Sequence, residues 1–147
     1  MCDTGCSAKR GQYNTMTVWT NGCFDILHRG HIELFKYAKS LGDYLVVGVD
    51  TDDRVRASKG ESRPINNLED RIEMLNSIRY IDEVVSFDID SELETQILLS
   101  GASIIVVGSD YKNKKVIGQQ HCTELKFFDR IDEYSTTNIL LKRSKNE

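Results

Sequence analysis

Three runs of consecutive apolar residues punctuate the chain: TVWTNG (Thr17 to Gly22), YLVVGVD (Tyr44 to Asp50) and SIIVVGSD (Ser103 to Asp110). Each is rich in β-branched residues and ends in Gly or Asp. Continuous rather than alternating apolarity predicts parallel strands covered on both faces. DEVVSFD (Asp82 to Asp88) and ELKFFDR (Glu124 to Arg130) are weaker versions of the same pattern. Between these runs the apolar period becomes helical. His31 to Leu41 sets Ile32, Leu34, Phe35, Ala38 and Leu41 at helical spacing and stops at Gly42, which reads as a C-terminal cap. Asn67 reads as the N-cap of LEDRIEMLNSI, with Asp70 at the capping-box position and Leu68, Ile72, Leu75 and Ile78 as the apolar stripe. SELETQILLSG predicts a third helix closing at Gly101, and Ser135 reads as the cap of a last one through Leu141.

Strand alternating with helix along the whole chain predicts an α/β domain. Its core would be a Rossmann-like, doubly wound parallel sheet of about five strands with helices on both faces and right-handed crossovers. In such a sheet ligands bind outside the carboxyl ends of the strands. The polar clusters fall at those ends: Asn21 to Asp25, Asp50 to Asp53, and Gly108 to Tyr111. The segment TDDRVRASKGESRPINN, Thr51 to Asn67, reads as one long polar loop carrying Arg54, Arg56, Lys59 and Arg63, a length more often functional than idle.

The 147 residues suit one domain. Residues 1–15 read as a flexible polar leader and 16–147 as the domain. A net charge of −4 with scattered basic residues argues against a nucleic-acid surface or an anionic membrane and for a small ligand. No apolar run reaches the roughly 18 residues of a membrane span, and MCDTGCSAKRGQYNTM lacks the apolar core of a signal peptide. The expectation is a cytoplasmic protein. Cys2, Cys6, Cys23 and Cys122 form no CxxC pair and imply no disulfide framework.

Two of the three histidines, His28 and His31, flank Gly30 where the first strand gives way to a helix. The free N–H groups and dipole of a helix's first turn favour an anion, and Gly22 and Gly30 let backbone approach closely. Two imidazoles added there make a site for phosphate oxygens. The rival readings are one histidine capping the helix with the other in the core, and a zinc site; the latter lacks a third ligand, since Asp25 is the only nearby carboxylate. No protein metal site is expected.

GCFDILHRGH, from Gly22 to His31, resembles the G-x-F-D-x-x-H-x-G-H signature of the cytidylyltransferase-like nucleotidyltransferases, and YSTTNI, from Tyr134 to Ile139, resembles their second signature. Together they cover Thr17 to Leu141. The resemblance implies transfer of a nucleotidyl group from an NTP to a phosphorylated small molecule, releasing pyrophosphate, with no protein nucleophile. By that resemblance His28 and His31 contact the triphosphate, and His31 stabilises the transition state. Asn21, Gly22, Cys23, Phe24 and Gly30 lie along the nucleotide. Ser135, Thr136 and Thr137 donate to the β and γ phosphates, and Lys59 bridges the α-phosphate and the acceptor phosphate. Mg2+ is implied as cofactor, held mainly by the triphosphate, and a homodimer as the assembly.

Two branches of the family fit. TNGCFDILHRGH, KGESRPIN and GSDYKNKKVIG are similar to the adenylyltransferases that make ADP-heptose from D-glycero-β-D-manno-heptose 1-phosphate. SIRYIDEVV with Arg79, and Arg130 ahead of Ser135, resemble glycerol-3-phosphate cytidylyltransferase, which makes CDP-glycerol. Three segments against two favour ATP and a sugar phosphate over CTP and a polyol phosphate. Asp25, Asp50, Lys59 and Arg79 would then face the acceptor, Asp110 and Arg130 the nucleotide. For Arg79 a helix C-terminal charge is an equal reading, and for Asp50 a turn cap. Arg71 reads as a surface ion pair in preference to a residue reaching the site. A nucleotide-binding module without turnover is the alternative outside enzymes.

Overall fold

A computed structural model describes residues 15–129. Five strands, β1 (Thr17–Gly22), β2 (Tyr44–Asp50), β3 (Glu83–Phe87), β4 (Ile104–Gly108) and β5 (Glu124–Phe128), form one sheet in the order β3-β2-β1-β4-β5, every pair parallel. Four helices join them: α1 (Arg29–Ser40), α2 (Asp52–Lys59), α3 (Leu68–Asn76) and α4 (Asp90–Ser100). Strand order reverses at β1, so the carboxyl ends of β1 and β4 diverge around a crevice.

Both sheet faces are covered, which is why the strands are apolar at successive positions. Val18, Leu45, Val47 and Val106 pack with Phe35 and Ala38 of α1 and Leu75 of α3. Their neighbours Trp19, Val46 and Ile105 point the other way, onto Leu93 and Ile97 of α4 and Val116. Trp19 is fully buried, and Gly48 makes room for it: a Cβ there would lie 2.5 Å from the indole.

Three elements differ from the sequence reading. Thr51 to Asn67 is not one loop, because its first half is α2. The Thr51 hydroxyl caps this helix by accepting from Arg54 N–H, Asp52 and Asp53 occupy the first turn, and Arg56 and Lys59 the last, each charge favourably placed on the helix dipole. Only Val55 is buried, so no apolar period announces it. Helix α1 starts two residues early, with His28 as its N-cap. Gly42 is not a left-handed cap, since the left-handed glycines among the described residues are Gly60, Gly101 and Gly118. It is needed because a side chain would strike the Met16 carbonyl at 2.6 Å. Gly101 (φ 71) does close α4 and the Asn67 side chain does cap α3, as expected. The leader up to residue 14 and the helix expected at Ser135 lie outside the described residues. Among the described residues no helix is long and apolar enough to cross a membrane.

Candidate active site

The turn after β1 is built around a phenylalanine in an unusual conformation. Phe24 has φ 48, a left-handed backbone that costs an ordinary residue about 1–2 kcal/mol. Its buried ring offsets that cost by filling the floor of the turn, and Gly22 permits it: a Cβ on Gly22 would stand 3.1 Å from the ring. The ring meets His31 edge-on, with centroids 5.3 Å apart, and Phe35 at 5.1 Å. Phe24 therefore backs the histidine from the core.

His28 and His31 stack, with ring centroids 3.8 Å apart and planes inclined by 24°. The His28 N–H donates to His31 Nδ1 at 3.3 Å, closing a capping box in which histidines replace the usual hydroxyl and carboxyl. The capping and catalytic readings of this pair are thus compatible. A ring that accepts through Nδ1 carries its proton on Nε2 when neutral, which makes Nε2–H the donor of the ring. Three constraints, the stack, the Phe24 edge and the Nδ1 hydrogen bond, fix where that donor sits.

Asp25 was expected to meet substrate hydroxyls; its carboxylate is instead fully buried and committed to the chain. It accepts from Ile65 N–H at 2.8 Å, Asn66 N–H at 2.8 Å and Arg63 Nε at 3.2 Å, while Asn66 Nδ2 donates to the Asp25 carbonyl. Asp25 is the anchor of the 60–67 loop. Arg71, expected on the surface, is the second anchor and is fully buried. Its guanidinium donates to the carbonyls of Asn66 (2.9 Å), Cys23 (2.8 Å) and Asp50 (2.7 Å) and to Asp52 Oδ1 (2.6 Å). One side chain thus joins the turn after β1, the end of β2, the start of α2 and the approach to α3. The available signal was its position: Leu68, Arg71, Leu75 and Ile78 follow helical spacing, placing a charge on the apolar stripe.

Asp50 ends β2 beside Arg54, whose guanidinium also reaches Asp90 and the Asp88 carbonyl and lies over the Phe87 ring. Burial pushes the Asp50 carboxyl above its ordinary value, against the pull of Arg54, Arg71 and Lys59. The Lys59 charge is felt at Asp50 although the lysine itself, last residue of α2, is exposed. A carboxyl with a raised folded pKa holds its proton more tightly when folded. Its contribution is therefore complete below the unfolded value and is lost as pH rises through the folded one. Asp50→Asn is expected to gain in melting temperature over the wild type between about pH 4 and about pH 7, while losing activity. A difference that stays constant or shrinks across that range in thermal melts would contradict this assignment.

Asn21 accepts from Trp19 Nε1 at 2.8 Å, which fixes its amide at the end of β1. On the other flank Asp110 folds back over Gly108, where a Cβ would stand 2.6 Å from its carboxylate. Cys23 and Gly30 are half-buried within the turn and first helical turn. Asn21 to Asp25, His28 to His31, Asp50, Lys59 and Asp110 thus all belong to the carboxyl end of the sheet. Arg79 does not. It precedes β3 at the opposite end, about 15 Å away along a five-residue strand, and stacks on Tyr80, exposed to solvent. The right-handed crossover through α3 carries it there. Arg130, Ser135, Thr136 and Thr137 lie outside the described residues.

A reversing parallel sheet with a helix N-terminus, close-approach glycine and paired imidazoles at its crevice defines a Rossmann-type nucleotide-binding domain. Residues 19–141 match the cytidylyltransferase-like family, and the chain belongs to it. It is 47% identical over 125 residues to the bifunctional protein HldE of Campylobacter fetus, and 43% identical over 141 residues to that of Aliarcobacter butzleri. These matches cover 85% and 96% of this chain but 27% and 29% of those proteins. The chain spans just over a quarter of the length of these curated relatives. Among solved structures, a lipopolysaccharide core biosynthesis protein from Thermoplasma volcanium superposes with a TM-score of 0.64 at 26% identity, covering 78% of this chain and 97% of that one.

Proposed function

We propose that the protein transfers a nucleoside monophosphate from an NTP, ATP in preference to CTP, to the phosphate of a small sugar. It would release pyrophosphate and form a nucleotide sugar of the ADP-heptose kind. The observation that carries this reading is the stacked His28–His31 pair at the N-terminus of α1, with His31 Nε2–H held as a donor. The preference for a sugar phosphate over glycerol 3-phosphate rests on the KGESRPIN and GSDYKNKKVIG segments and on kinship with the HldE proteins. One residue behind the polyol alternative, Arg79, sits at the far end of the sheet.

In the proposed reaction an oxygen of the acceptor phosphate forms a bond to the α-phosphorus as the bond to the bridging α–β oxygen breaks. The electron pair leaves with pyrophosphate. Negative charge grows on the equatorial and leaving oxygens, so the protein's part is positioning and charge stabilisation. His31 Nε2–H and the first-turn N–H groups of α1 would donate to that charge. His28 stacks against His31 and holds its plane, and Lys59, at the end of α2, would reach the phosphates from the β2 side. Ser135, Thr136 and Thr137 would add donors to the leaving group. Mg2+ fits as a passenger of the triphosphate, where it would supply charge neutralisation. The Asp25 carboxylate has its oxygens taken by two N–H groups and Arg63, and among the described residues no cluster of three ligating side chains could hold a metal. In the assembly proposed, two such chains form a homodimer.

Pyrophosphate release by the purified protein with Mg2+, crossing ATP and CTP against heptose 1-phosphate and glycerol 3-phosphate, tests the reading. Turnover confined to ATP with the heptose phosphate is expected. Turnover with CTP and glycerol 3-phosphate would move the protein to the other branch. Nucleotide binding without turnover in all four combinations would favour a non-catalytic module.

A further inference from the structure

Arg63 has so far appeared only as a partner of Asp25. Its side chain is 14% exposed and bound through Nε to the fully buried Asp25 carboxylate. Among the described residues no other group accepts from its side chain, so both Nη groups, with four N–H bonds, have no acceptor there. Neither Nη is a buried orphan, so the fork opens to solvent with its donors free for an anionic ligand.

Its setting is rigid. Arg63 N–H donates to the Gly60 carbonyl at 3.1 Å, closing a turn directly after Lys59, and Ile65 and Asn66 are tied to Asp25 on its other side. The Nε contact fixes the guanidinium plane, while two backbone N–H groups share the Asp25 charge. Arg63 therefore remains an effective cation on its Nη side. The turn joins α2 to α3 at the carboxyl end of β2, on the flank that holds Asp50 and Lys59, opposite the β4 flank that holds Asp110.

Resting on the transferase reading above, we propose that the Arg63 Nη pair is the clamp for the acceptor's phosphate, binding two of its oxygens side by side. A planar fork matches a phosphate bidentately, which the single charge of Lys59 cannot do. Asp25 acts behind it by fixing the fork's orientation. Arg63 and Lys59, at the two ends of one turn, would grip the nucleophilic phosphate, leaving the histidines and the α1 N-terminus to the triphosphate.

The test compares wild type, Arg63→Gln and Arg63→Lys in pyrophosphate release with ATP and heptose 1-phosphate. Loss of the fork is expected to raise KM for the sugar phosphate about ten- to a hundredfold in Arg63→Gln and to leave KM for ATP within about twofold. Arg63→Lys, which keeps a cation beside Asp25, recovers part of the loss and serves as the comparison if the glutamine variant does not fold. Unchanged KM values, or equal rises for both substrates, would overturn the clamp. A second measurement separates this proposal from the transferase reading: calorimetric titration of inorganic phosphate into protein saturated with α,β-methylene-ATP. Binding by wild type that is lost in Arg63→Gln supports the clamp even if no substrate pair turns over. Equal phosphate binding by both proteins, or none by either, overturns it even if turnover is seen.

Discussion

His31→Ala is expected to lower kcat about a hundred- to a thousandfold, the usual loss for one preorganised donor to developing charge, with the fold intact. The fold survives because His31 is half-buried at a helix end, and α1 is held by Phe35 and Ala38, both fully buried against the sheet. What disappears is a donor whose position depends on three contacts: the His28 ring, the Phe24 edge and the His28 N–H to Nδ1 hydrogen bond. The KM for the nucleotide should change much less than kcat, since donors to charge that exists only in the transition state contribute little to the ground state. His31→Gln offers an amide N–H at similar reach and should recover part of the rate. Single-turnover rates and thermal melts of the three proteins decide the matter. A His31→Ala enzyme within about threefold of wild-type kcat would remove the role assigned to the imidazole.

Arg71→Ala is expected to destabilise the protein by roughly 3–5 kcal/mol, the range found when one partner of a buried ion pair is removed. At about 2–4 °C per kcal/mol for a domain near this size, the melting temperature should fall by roughly 6–20 °C. The reason lies in what remains behind: three partly buried carbonyls, of Cys23, Asp50 and Asn66, and the partly exposed Asp52 carboxylate lose their donor together. Arg71→Lys, a single point charge, can serve only some of these acceptors and should fall between. Because the acceptors belong to four elements around the crevice, activity is expected to decline well below the melting transition. Melts run alongside activity at a low temperature read both effects. A small change in melting temperature for Arg71→Ala would mean that the network is an accessory to packing already secured by Leu75 and Val55.

The two arginines eight residues apart show where sequence and structure part company. Arg79 sits in SIRYIDEVV, a segment that invites a functional reading, and Arg71 in LEDRIEML, where alternating charges suggest an exposed face. The structure reverses them: Arg71 is the buried tie beneath the crevice and Arg79 a solvated cation over Tyr80 at the far end of the sheet. Spacing places residues on a helix, but whether a polar residue on its inner face is excluded or satisfied depends on which carbonyls other segments bring to it. Asp25 shows the same limit, because its partners Arg63, Ile65 and Asn66 lie some forty positions away.

Helix α2 escaped for a different reason. Its formation depends on local capping and charge order rather than on an apolar stripe, and one buried valine leaves no period to detect.

The amino-acid sequence by itself determined the alternation of strands and helices, the parallel sheet covered on both faces, the caps at Asn67 and Gly101, and the pairing of His28 with His31 at a helix start. All of these follow from period, composition and neighbours a few residues apart. The tertiary structure alone decided the strand order, the left-handed Phe24 behind His31, the burial of Arg71 and the coupling of Arg63 to Asp25. Each of those depends on groups remote in the chain meeting where water is excluded, where a charge or carbonyl must find its partner within the protein.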